Sequence, residues 1–145
     1  MKAIFWGGLI AGALDLAYAM IYVGLHGSPA TIIPKAIASG LLGPKALQGG
    51  TPTIVLGVAL QFLITFVATG VYYAASRKMA FLTGRAILWG VLYGAAIYVF
   101  MHAVVVPLSA APHFQNTRLW RTLEFIDHLV FVGPPMALAV RRYGR

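Results

Sequence analysis

The sequence predicts an all-α integral membrane protein: four transmembrane helices in an antiparallel bundle, one domain over residues 1–145. Three observations carry this. The chain is 60% hydrophobic and only 10% charged, against about 25% charged in soluble domains. Four stretches, 3–25, 52–76, 85–106 and 119–140, each supply the roughly 20 mostly apolar residues needed to span a bilayer as a helix. Backbone groups in lipid must be satisfied within the segment, so each stretch is expected to be helical.

The first span has to be told apart from a secretory leader, because Lys2, an apolar run and Ala17-Tyr18-Ala19 imitate one. Asp15 would interrupt the apolar region of a leader, and apolar character continues to Leu25. A retained first span is therefore expected. The connection His26–Thr51 is long and half apolar. Within it Lys35–Leu42 predicts a short interfacial helix, with Gly43 as its stop and Pro44 beyond. The hairpin Arg77–Gly84 is short, which predicts that the second and third spans are neighbours. In the loop Pro107–Thr117, Asn116 or Thr117 can cap the fourth span. Gly8-x-x-x-Gly12 and Gly90-x-x-x-Gly94 offer small faces for close helix contact. In the fourth span Gly133, Pro134 and Pro135 form a predicted hinge: the two prolines remove donors and free the carbonyls near Val130 and Phe131.

Charge sets the orientation and excludes one class of partner. Placing both termini inside puts Lys2, Arg77, Lys78, Arg85, Arg141, Arg142 and Arg145 there and leaves Lys35, Lys45, Arg118 and Arg121 outside, an N-in/C-in arrangement by the positive-inside rule. The net charge is +8, yet the basic residues sit at span ends rather than on one soluble face, so nucleic acid is not an expected partner. The expected partners are the lipid bilayer and either further copies of the chain or a larger membrane complex. With no cysteine, disulfides and thiolate ligands are excluded.

The chain has three acids, Asp15, Glu124 and Asp127, and all lie in or at the edge of a span. A charge at the bilayer centre costs about 2.5–3.5 kcal/mol even on insertion scales, so such residues face a packed or wet interior. Helical spacing lines up one polar seam per span: Asp15, Tyr18, Tyr22 and His26; Gln61, Thr65, Thr69 and Tyr72; Gly94, Tyr98 and His102; Glu124, Asp127, His128 and Phe131. The seams must meet to avoid lipid. At 1.5 Å per residue, Glu124 lies about 8 Å, His128 about 14 Å, His102 roughly 6 Å, Gln61 roughly 14 Å and Asp15 about 15 Å from the outer ends of their spans. A polar pocket opening outward is expected, holding Asp15, His102, Glu124, Asp127, His128, Gln61, Tyr18, Tyr22 and Tyr98 as candidate ligand- or proton-binding residues.

Local pairing offers a plainer account of two of the acids: Glu124 with Arg121 three residues away, and Asp127 with its neighbour His128. Asp15 has no basic residue within a turn and must reach across to a tyrosine, Gln61 or a histidine. No cofactor is expected, although a single zinc-type ion held by Asp15, His102, Glu124 and His128 is one option. A b-type haem between His102 and His128 is geometrically conceivable. One glutamate in the whole chain excludes a di-iron bundle site. The serines Ser28, Ser39, Ser76 and Ser109 have no companion base at a recognisable spacing, so no enzyme is expected.

The C-terminal half carries Phe100-Met101-His102, Pro107-Leu108, Pro112, Trp120, Glu124, His128-Leu129-Val130 and Arg141-Arg142. In order and spacing, residues 84–142 resemble the YagU-like family of small bacterial inner-membrane proteins. The first half is similar only in its Gly/Ala-rich first span, and it lacks the family's long polar outer insertion. The resemblance implies a bacterial inner-membrane location and an association with acid tolerance, and it points to His102, Pro107, Glu124 and His128. The expected function is a site of carboxyls and histidines that senses or moves protons or a small cation. At pH 5–6 histidines of ordinary pKa, about 6.5, gain charge and would pair with the acids. The alternatives are a non-catalytic accessory or structural subunit of a membrane complex, and a binder of small molecules or lipid head groups in a tyrosine-lined pocket.

Overall fold

The computed structural model describes residues 1–144, and all regular structure among them is helical. Four helices are long and apolar enough to cross a membrane: α1 (Lys2–Leu25), α3 (Thr51–Lys78), α5 (Ala86–Leu108) and α6 (Arg118–Tyr143). They match the four predicted spans within three residues at each end. The short helix α2 (Ile32–Leu42) ends at Gly43, whose φ of 76° suits glycine, and one 3₁₀ turn, Pro44–Gln48, follows it. The remaining helix, α4 (Phe81–Gly84), forms the hairpin between α3 and α5. Thr117 caps α6 by accepting the Trp120 N–H at 3.1 Å. Arg145, one of the basic residues counted at the C-terminal end, lies outside the described residues.

α6 is the hub of the bundle. It packs on both α1 and α5, while α3 packs on α1 and carries α2 on its other flank. Of its apolar window 44% is buried, against 6–22% in the other three spans. The expected neighbour relation of α3 and α5 is therefore corrected: the backbones of these two spans stay apart, and the order across the bundle is α3, α1, α6, α5. Loop length brings two helix ends together, but it is the small-residue faces that choose partners. Gly8 and Gly12 on α1 lie against Phe66, Thr65 and Phe62 of α3, and Gly90 and Gly94 on α5 lie against Pro134, His128 and Gly133 of α6. Thr65 fixes the first contact by donating to the Gly8 carbonyl at 2.9 Å.

A wedge-shaped apolar cleft of about 330 Å³ fills the gap between α3 and α5 at the hairpin end. Tyrosines bridge it. Tyr72 and Tyr93 pack with rings tilted by 56° at 4.9 Å between centroids, and the Tyr93 hydroxyl donates to the Ala68 carbonyl at 2.7 Å. Hydrogen bonds between membrane helices contribute about 0.6 kcal/mol on average and up to about 1.7. Tyr93→Phe is accordingly expected to lower unfolding stability by about that amount while leaving the polar cluster at the other end unchanged, which thermal melting in detergent would read.

Two spans contain a widened turn. Met101–Val105 in α5 and His128–Val132 in α6 are π-helical, and each ends two residues before a proline, Pro107 and Pro134. A proline cannot donate to the carbonyl one turn back, and an inserted residue lets the helix accommodate the missing bond. The predicted hinge around Gly133 is thus built as a π turn. Both π turns hold a histidine, His102 and His128, in their first two residues.

Candidate functional site

The polar seams of α1, α3 and α6 meet where the sequence places them. On α3 the whole seam, Gln61, Thr65, Thr69 and Tyr72, is buried. Thr65 and Thr69 satisfy their hydroxyls on backbone carbonyls, whereas the Gln61 amide reaches across to α1 and donates to Asp15 Oδ2 at 2.5 Å. Asp15, Asp127 and His128 each place one ligand atom within 4.8 Å of the others. Asp127 is 2% exposed and His128 8%. Asp127 Oδ2 lies 3.7 Å from His128 Nδ1, and its buried Oδ1 has no hydrogen-bond partner. Among the described residues neither aspartate forms an ion pair with a lysine or arginine.

His128 is oriented by the helix. Its Nδ1 lies 2.9 Å from the Glu124 carbonyl, and its ring meets the Tyr98 ring edge-on at 5.5 Å. The π turn carries its backbone against α5 closely enough that a Cβ at Gly94 would overlap the His128 carbonyl. Below the three groups Ala11, Val132 and Met136 form a buried apolar layer, with Tyr93 and Ile97 against it.

A second polar pair lies nearer the end of the bundle. His102 Nε2 approaches Glu124 Oε2 at 3.5 Å, with side chains 37% and 23% exposed. His102 Nδ1 is 3.0 Å from the Tyr98 carbonyl, and the Tyr98 hydroxyl donates to the Arg121 carbonyl at 3.4 Å. Glu124 therefore pairs with His102 across helices and not with Arg121 along its own. Tyr18 packs against Phe131 and Tyr22 against His26 and Trp120; the structure gives neither hydroxyl a hydrogen bond to the acids.

The expected single set of nine residues is thus divided. The zinc-type set Asp15, His102, Glu124 and His128 does not converge, because His102 and Glu124 pair apart from the aspartates; a cation would instead meet Asp15, Asp127 and His128. The haem position between His102 and His128 is taken by the Tyr98 ring, which packs against both imidazoles. The polar groups pack on one another, and an apolar cleft of about 330 Å³ lies at the opposite end. The contact between Asp15 and Asp127 is the feature that reasoning on single helices missed, although depth foretells it. Asp127 lies about 12 Å and Asp15 about 15 Å from the same end of the bundle at 1.5 Å per residue. Comparison with protein-family models, curated proteins and solved structures finds no match to this chain.

Proposed function

We propose that the chain is a non-catalytic protein of the bacterial inner membrane whose Asp15–Asp127–His128 site takes up a proton or a small cation, in sensing or in transport. The observation that carries the reading is two carboxylates from different spans in one buried site, with no lysine or arginine paired to either. Two ionised carboxylates with oxygens under 5 Å apart repel by about 3.5 kcal/mol at an effective dielectric near 20. A proton or cation between them removes that repulsion, so the pair is a site for one positive charge. A proton needs no side chain to move. A cation would take the two carboxylates, the His128 imidazole and, on turning the amide, the Gln61 oxygen. The half-exposed His102–Glu124 pair lies between this site and the end of the bundle, the side from which a proton would enter. The acid-tolerance role implied by the family resemblance is in keeping with such a site.

Reconstitution tests the reading. Liposomes containing the protein are expected to take up protons or divalent cations faster than empty liposomes across roughly pH 5–8, the range in which histidine titrates, and Asp15→Asn is expected to bring the rate down to the empty control. Wild-type flux equal to empty liposomes, together with no proton or cation binding in detergent, would overturn it. The accessory-subunit reading draws on one observation of its own: only 6% of the apolar window of α5 is buried within the chain. Recovery of a stoichiometric foreign subunit on purification from native membranes would favour it.

A further inference from the structure

The cleft between α3 and α5 is apolar, opens at the bundle end opposite the carboxylate site and is independent of it. One wall is Val71 and Ala75 of α3; the other is Trp89, Leu92 and Ala96 of α5. Val71 is 56% and Leu92 50% exposed, so the cleft opens sideways, towards lipid in a bilayer. Its floor is the Tyr72–Tyr93 pair, whose hydroxyls are already bonded to the Leu82 and Ala68 carbonyls. The lining offers nothing polar to a ligand. An acyl chain fits such a surface.

The charge is at the mouth. Residues three, four and seven apart share a helix face, and Lys78 extends the Val71–Ala75 wall by that spacing. Arg85 is the residue just before α5, one turn from Trp89, whose N–H its carbonyl accepts at 3.1 Å. One exposed cation therefore lies at the hairpin end of each wall, where Met79 and Leu82 close the cleft. Arg77 is not part of this pair, because its guanidinium reaches Gly144 O at 3.4 Å. All three acidic side chains lie far along the spans towards the other end, and among the described residues no ion pair engages Lys78 or Arg85. Basic residues at the mouth of a groove between membrane helices are suited to a phosphate head group.

We infer that the α3–α5 cleft binds one anionic phospholipid per chain, its acyl chain between the walls and its phosphate between Lys78 and Arg85. The test is native mass spectrometry of the full chain released from membranes of equimolar phosphatidylglycerol and phosphatidylcholine. One phosphatidylglycerol should be retained per chain, with a preference of about tenfold or more arising from the two cations. Lys78→Gln with Arg85→Gln should reduce the preference to about one, while Lys78→Arg with Arg85→Lys should keep it and show that the fold survives. Leu92→Trp, which fills the cleft without altering charge, should lose the lipid. Equal retention of the two lipids by the wild-type chain, an unchanged preference in the double glutamine variant, or a second copy of the chain cross-linked into the cleft would each overturn the inference.

Discussion

Gly94→Ala is expected to destabilise the bundle by more than about 3 kcal/mol, the upper end of the usual cost of overpacking a core. A single added methyl does this because the obstacle is backbone. A Cβ at Gly94 would overlap the carbonyl of His128 and stand 3.3 Å from the Gly133 nitrogen, and one turn earlier a Cβ at Gly90 would come within 2.7 Å of the Pro134 Cα. Neither helix can yield by rotating a side chain. The displaced element would be the π turn that carries His128, so loss of stability should come with loss of proton or cation uptake. Gly24→Ala is the control. A Cβ there meets nothing within 4 Å, and alanine is the better helix former by about 0.5–1 kcal/mol, so this variant should be neutral or slightly more stable. Melting midpoints of the two purified variants in one detergent would decide it, since their shifts should have opposite signs.

Asp127→Asn is expected to uncouple stability from function. The asparagine keeps the shape, gives the site a donor for Asp15, and removes a buried carboxylate whose Oδ1 has no hydrogen-bond partner. Removing one of two like charges under 5 Å apart relieves a repulsion of about 3.5 kcal/mol at an effective dielectric near 20, and strained functional sites are where such gains are found. The variant should therefore melt no lower than wild type and yet lose proton or cation uptake by tenfold or more. Gln61→Leu has the opposite sign on stability. It takes away the donor to Asp15 and leaves a half-buried acceptor unsatisfied, at a cost towards the lower end of about 1–3 kcal/mol.

Much of this architecture is legible from local pattern. Twenty-residue apolar runs fix the spans, because length against bilayer thickness is a one-dimensional constraint. Helical spacing likewise identifies Gln61, Thr65, Thr69 and Tyr72 as one seam, and all four are buried. Partner choice is where loop length misleads: the short hairpin suggests α3 beside α5, but Gly8 with Gly12 and Gly90 with Gly94 direct those two spans to α1 and α6 instead. Of the expected site residues, Asp15, Gln61, Asp127 and His128 come together, whereas His102 and Glu124 pair apart from them. Glu124 has Arg121 on its own helix and yet pairs with His102 of α5, at the start of a π turn. The contact of Asp15 with Asp127 escapes any rule that joins acids to bases, since it joins two groups of like charge. A π turn adds one residue to a helical turn, which rotates every later side chain, and no periodicity drawn through it stays in register.

Carbodiimide labelling tests the shared charge most directly, because the reagent partitions into lipid and modifies only carboxyls that hold a proton. In membranes stripped of metal by chelator and kept in choline buffer at pH 7, one adduct per chain is expected, divided between Asp15 and Asp127 and absent when both are changed (Asp15→Asn with Asp127→Asn). Chains bearing no adduct at either aspartate, or both aspartates modified on the same chain, would contradict it.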